Sequence, residues 1–179
     1  MITVHSRGEQ NQIILTGFMG TGKTAVGLIV AKRLGRSFLD TDQLVEQKAG
    51  LSIPDIFERH GEEHFRDLET ETLRDLAACE PGTLVIATGG GAVLREDNRR
   101  LLKKLGPVFL LRATAEEIYR RISKTGTRPL FNTSDPARTI AGMLKEREPC
   151  YRDCNYVIDT TARLPSQVAS KIISCLNHH

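Results

Sequence analysis

Residues Gly17-Phe18-Met19-Gly20-Thr21-Gly22-Lys23-Thr24 fit the pattern G-x-x-x-x-G-K-[ST], a backbone that wraps an anion with its own N–H groups. Gly20, Thr21, Gly22 and Ala25 form the cradle, Lys23 has the reach for the β- and γ-phosphates, and the Thr24 hydroxyl is a ligand for Mg²⁺. Many phosphate-loop proteins carry a metal-side acid after a later apolar strand, but here Leu84-Val85-Ile86-Ala87 runs into Thr88 and glycines. Asp40 is the next candidate for the metal side, through a bound water. Asp42, two residues on, would face the same way if the strand stays extended, and is placed to orient an acceptor hydroxyl and take its proton. Either acid could instead cap the following helix, expected over residues 43–49, and capping is compatible with catalysis.

Gly89-Gly90-Gly91 is more glycine than a strand-to-helix turn needs, so we read it as backbone brought close to a ligand. Residues 124–134 (KTGTRPLFNTS) read as an exposed loop that can close over a bound nucleotide, with Arg128 on it. Arg66 and Glu69, three apart in a long polar helix expected over about 62–78, can share a face, and by themselves they look like a surface ion pair. Arg147 is similarly plain, a charged residue near a helix end.

These residues need a frame. Five apolar runs, 13–16, 37–39, 84–88, 108–111 and 156–158, alternate with helical stretches, which predicts an α/β fold with a five-stranded parallel sheet. The lysine loop, Asp40-Thr41-Asp42 and the triple glycine then follow strands one, two and three, at the edge where such sheets bind ligands. Thr114 to Glu117 reads as a capping box, Asp135-Pro136 as a helix start, and Gly50, Gly61, Gly106 and Gly126 as helix ends. The 179 residues fit one domain spanning 1–179. A net charge of +3 suits anionic small molecules and gives no sign of a nucleic-acid surface. No apolar run is long enough for a membrane span, and the polar start has no signal-peptide core, so a cytoplasmic, monomeric protein is expected. Cys79, Cys150, Cys154 and Cys175 show no metal-site spacing and read as free thiols.

Taken together, the order Gly17–Thr24, Asp40-Thr41-Asp42, Phe65-Arg66 with Glu69, Gly89-Gly90-Gly91, Arg128-Pro129-Leu130 and Arg147 before Tyr151 resembles the shikimate kinase family, from about Ile13 to Pro165. The resemblance implies a P-loop NTPase-like three-layer sandwich, helices on both faces of the sheet and a mobile lid at about 124–134. It implies ATP, Mg²⁺ and transfer to the 3-hydroxyl of shikimate, on the route to chorismate and the aromatic amino acids. Asp42 would be the base, with Lys23 and Arg128 offsetting charge on the transferred group. Arg66 and Arg147 would grip the carboxylate, Glu69 would orient Arg66, and Gly89, Gly90 and Gly91 would hold hydroxyls. Arg163 and Pro165 match one adenine wall loosely, and Lys124 is the candidate for the stacking residue before the lid. The alternatives are another small-molecule kinase of this type, such as a gluconate or nucleoside kinase, and a nucleotide-dependent switch.

Overall fold

The computed structural model describes residues 11–124 and 135–177. The elements run β1 (Ile13–Thr16), α1 (Lys23–Leu34), β2 (Ser37–Asp40), α2 (Thr41–Ala49), α3 (Ile53–Ala77) and β3 (Leu84–Ala87). A short 3₁₀ turn (Ala92–Leu94) leads to α4 (Glu96–Leu105), β4 (Val108–Arg112), α5 (Ala115–Lys124), α6 (Pro136–Tyr151), β5 (Tyr156–Asp159) and α7 (Pro165–Leu176). The five expected runs are the five strands, all paired parallel in the order β2-β3-β1-β4-β5.

Alternation along the strands sorts the core into two layers. Ile13, Leu15, Val85, Phe109, Leu111 and Ile158 face α1 and α7, whereas Ile14, Ile86, Val108 and Leu110 face the layer that holds α3 to α6. This sorting opens the site. β1 and β3 are neighbours, yet the helix after β1 lies on one face of the sheet and the turn and helix after β3 lie on the other. Loops that diverge from adjacent strands leave a crevice at their carboxyl ends.

Local signals set most helix ends. Asp135 caps α6 by accepting from the Arg138 amide at 3.0 Å, with Pro136 in the first turn. The Thr114 hydroxyl accepts from the Glu117 amide at 3.3 Å where α5 begins, and Gly35 and Gly50 close α1 and α2. Gly126 lies outside the described residues.

The polar helix expected from about residue 62 does start there: the helical stretch that begins at Ile53 stops at Gly61, where φ is 82° and ψ is 173°, and α3 continues beyond this break. That backbone region is open essentially to glycine alone. The break lets Ile56 pack with Val45 and Phe65 in a small satellite core, while Leu73 and Leu76 turn into the main one. One expectation is corrected, that for the two acids: β2 ends at Asp40 and α2 begins at Thr41. Asp40 and Asp42 are therefore not alternate residues of one extended strand. Asp40 caps α2 by accepting from the Asp42 amide at 3.1 Å, and Asp42 sits in the first turn.

Candidate active site

The loop after β1 is closed on itself. The Lys23 ammonium donates to the carbonyls of Gly17 at 2.7 Å and Phe18 at 2.9 Å, and the Thr21 hydroxyl donates to Phe18 at 2.8 Å. Burial pushes the ammonium down to about 8, against the pull of Asp42 and Asp40. The lysine is thus held on carbonyls, short of full ionic compensation. Beside it the Thr24 hydroxyl donates to Asp40 at 3.1 Å. Hydroxyl and carboxylate oxygens suit a hard cation that keeps most of its own waters. No cluster of three or more His, Cys, Asp or Glu side chains able to hold a metal occurs among the described residues. Thr88, at the end of β3, is 1% exposed, and its hydroxyl has no partner among the described residues.

On one side of this loop lies a cleft of about 590 Å³ lined by Met19, Lys23, Thr24, Asp40, Asp42, Thr88 and Gly90. Gly90, the middle of the three glycines, forms part of its floor, and Gly89 and Gly91 beside it also answer a steric need. None of Gly89, Gly90 and Gly91 has a positive φ, and the Gly89 amide donates to the Thr41 hydroxyl at 3.0 Å, so it is not open to a ligand. What the site requires is space. A Cβ on Gly89 would overlap the Asp42 carboxylate and stand 2.9 Å from Glu69 Oε1, and one on Gly91 would overlap the Arg66 guanidinium. The glycines let three charged side chains from α2 and α3 lie flat against the loop.

Arg66 and Glu69 are joined at 2.5 Å, with Glu69 side-chain exposure of 2%. Arg66 also meets Glu62 at 3.0 Å. The second Glu69 oxygen is buried without a hydrogen-bond partner among the described residues, and burial, more than Arg66 offsets, holds this carboxyl above the usual range. Asp42 is raised too, first by burial and then by Asp40, while Lys23 and Arg66 oppose the shift. Arg95, beyond the glycines, binds Glu63, Asp67 at 2.7 Å and the Thr70 hydroxyl at 3.3 Å, bracing α3 against this loop. From the other side, Arg147 on α6 lies over the Phe18 ring at 5.6 Å.

On the opposite side of the phosphate loop a cleft of about 490 Å³ is lined by Thr21, Gly22, Ala25, Arg120, Arg121, Thr160, Arg163 and Pro165, among others. Arg163 and Pro165, which the resemblance linked loosely to adenine, line this cleft. Lys124 does not line the cleft; Arg121 does. Its guanidinium donates to Glu117 at 2.7 Å, to the Gly20 carbonyl at 3.3 Å, and to Thr160 through the hydroxyl at 3.1 Å and the carbonyl at 2.6 Å. Arg121 was passed over because α5 reads as an ordinary amphipathic helix. The available signal was its position four residues after Glu117, one turn along the same face. Arg128 and the rest of the expected lid from 125 onward lie outside the described residues.

A parallel sheet with a lysine-bearing phosphate loop, a nucleoside-sized cleft on one side and a buried acid with paired arginine on the other defines the class of phosphate-loop small-molecule kinases. The family model described as shikimate kinase matches residues 19–177. A shikimate kinase of Caldanaerobacter subterraneus subsp. tengcongensis is 50% identical over 161 residues, covering 90% of this chain and 93% of that one. One from Geobacter metallireducens is 44% identical over 174 residues, covering 97% and 96%. A solved shikimate kinase from Acinetobacter baumannii, in complex with shikimate, superposes with a TM-score of 0.87 at 39% identity over 94% of both chains. A sugar kinase from Janibacter sp., at 21% identity and a TM-score of 0.57 over 94% of this chain and 95% of that one, shares the fold alone. The chain belongs to the shikimate kinase family.

Proposed function

We propose that this chain transfers the γ-phosphoryl group of ATP to the 3-hydroxyl of shikimate. The observation that carries the reading is the convergence of Asp42, Glu69 and Arg66 on the glycine floor beside Lys23. A small carboxylated ring with several hydroxyls matches that arrangement. Arg66 and Arg147 present guanidinium groups to the carboxylate, for which their planar donors are suited. Asp42 accepts the hydroxyl proton as the new O–P bond forms and the bond from γ-phosphorus to the bridging oxygen breaks, releasing ADP. Glu69 fixes the Arg66 guanidinium through its 2.5 Å contact.

On the nucleotide side, the loop amides of Gly20 to Ala25 and Lys23 hold the phosphates. Arg121 replaces Lys124 in our assignment of the adenine wall, opposite Arg163 and Pro165. Thr24 and Asp40 are the residues that would hold Mg²⁺, which when bound supplies charge neutralisation for the phosphates. Arg128 remains assigned to the transferred phosphoryl group by family resemblance. With this reading goes a single catalytic domain acting as a cytoplasmic monomer, with sedimentation of the purified protein as the check on its oligomeric state. No helix among the described residues is long and apolar enough to cross a membrane.

The test is ADP release coupled to a reporter, with shikimate, gluconate, a nucleoside monophosphate or no acceptor. Turnover is expected with shikimate and near-background rates with the others. Turnover with gluconate or the nucleotide, and none with shikimate, ends the proposal.

A further inference from the structure

Tyr151 closes α6 four residues after Arg147, one turn along the same face. It is 5% exposed, and its hydroxyl donates to the Gly90 carbonyl at 2.6 Å. The phenol oxygen also meets the Arg147 guanidinium, which is bounded elsewhere by the Phe18 ring. Among the described residues no carboxylate forms an ion pair with Arg147. Half-buried, it is left to an aromatic face, one phenol and solvent. Burial pushes that phenol up to about 12, so it stays a neutral donor throughout the working pH range. Gly90 is the middle residue of the floor: Gly89 lies under Asp42 and Glu69, and Gly91 lies under Arg66. α6 otherwise packs on α5 and on the 3₁₀ turn after the glycines. Among the described residues, the Tyr151 hydrogen bond thus joins the helix that carries one arginine to the loop on which the other arginine and the acid rest.

We propose that Tyr151 is a positioning residue for the acceptor: its hydroxyl sets Arg147 in register with the Gly89–Gly91 loop, fixing the separation between the Arg147 and Arg66 guanidinium groups. This rests on the shikimate reading above. A ring held at its carboxylate by two arginines can reach Asp42 in only one pose if that separation is fixed, and in several if it is loose. The ATP side does not depend on it.

The experiment is a double-mutant cycle of Tyr151→Phe and Arg147→Ala, read as separate KM and kcat values for both substrates with Tm as a control. Tyr151→Phe keeps the packing and removes one hydroxyl. We expect the KM for shikimate to rise about tenfold, the size of one lost hydrogen bond to a buried partner. The KM for ATP should be unchanged and kcat should stay within about threefold. In the Arg147→Ala background the same change should move the shikimate KM by less than twofold, because the hydroxyl acts through Arg147. An unchanged shikimate KM, or an equal rise in both backgrounds, overturns the proposal and leaves Tyr151 as packing. If Tyr151→Phe does not fold, ¹⁹F NMR of the 3-fluorotyrosine-labelled enzyme reads the same contact. The Tyr151 resonance should shift on saturation with shikimate and not with a ring triol lacking the carboxylate, and equal shifts with both overturn the idea. If the unmodified enzyme does not turn over shikimate, the functional reading fails and this inference fails with it. If it does and Tyr151→Phe is silent, only the inference fails.

Discussion

The two clefts flanking the phosphate loop are built on opposite electrostatic plans. On the nucleotide side, Glu117 accepts from Arg120 and Arg121 at 2.7 Å, and these contacts pull its carboxyl down to about 2. That group is more comfortable folded than unfolded. On the acceptor side, Asp42 and Glu69 are both raised, because burial costs their charges more than the nearby cations return. Those groups are less comfortable folded. The cleft we assign to the nucleotide is thus pre-satisfied. The cleft we assign to the acceptor keeps carboxylates whose burial the nearby cations do not offset. Catalytic sites characteristically keep such perturbed groups at the expense of stability.

The sharpest way to break this contrast is Asp42→Asn. On the proposed role of Asp42 as the base, kcat should fall by about 10²- to 10⁴-fold with ATP affinity nearly intact. The ligand-free protein should also become more stable. Because the folded pKa of Asp42 lies above its unfolded value, the ionised form costs stability at neutral pH, and that cost vanishes as pH falls through the folded pKa. The Tm of Asp42→Asn should therefore exceed that of the parent at pH 8, and the gap should shrink on acidification. A lower Tm at pH 8 would contradict the plan for the acceptor side.

Arg66 comes next. Arg66→Ala should cost about 2–4 kcal/mol in kcat/KM for shikimate, and it should lower Tm as well by stranding the buried Glu69 charge. Adding Glu69→Gln should restore much of the Tm and none of the kcat/KM. If both recover together, Arg66 is structural.

Lys23 gives a pH test. Its folded pKa of about 8 lies below the unfolded value, so the charged form costs stability, and the ligand-free protein should gain stability as pH rises from about 8 toward 10.5. On the proposed role of Lys23 as a phosphate ligand, ATP affinity should fall by up to about tenfold per unit above pH 8, and binding near pH 8.5 should take up a proton. Calorimetry in buffers of different ionisation enthalpy reads that proton directly; no uptake would count against the parked lysine.

The smallest expected effect is Glu117→Gln. Arg121 keeps its contacts to Gly20 and Thr160, so the KM for ATP should rise less than about fivefold and the KM for shikimate should not move. Any stabilisation by Glu117 is present above the unfolded pKa of a glutamate and lost as pH falls toward about 2, so the variant and the parent should converge in acid.

How far the sequence reached depended on whether a feature was local. The phosphate loop is eight consecutive residues between a strand and a helix, and nearly all of its geometry is contained in them. The five strands, the start of α6 at Asp135 and the ends of α1 and α2 were legible for the same reason: each is set by a short pattern or one capping residue. Arg66 and Glu69 were readable as a pair because three residues make one helical turn, yet nothing local distinguished a pair with 2% exposure at Glu69 from a solvated one. Their burial is a property of the loop after β3, which is far away in the chain.

The acceptor cleft was assembled by the sheet order. Placing β3 between β2 and β1 brings Asp42, the glycines and Lys23 to neighbouring strand ends, and the opposite sides taken by the following helices open the space among them. The purpose of the glycines, clearance for Asp42 and Arg66, could not be read from their own neighbours in the chain. The same holds for the contacts of Arg121 beyond Glu117, which lie 39 and 101 residues away, and for Tyr151, which reaches back 61 residues to Gly90. Backbone spacing encodes contacts within a turn; contacts across the sheet depend on the strand order and crossovers, which the chain acquires only when it packs.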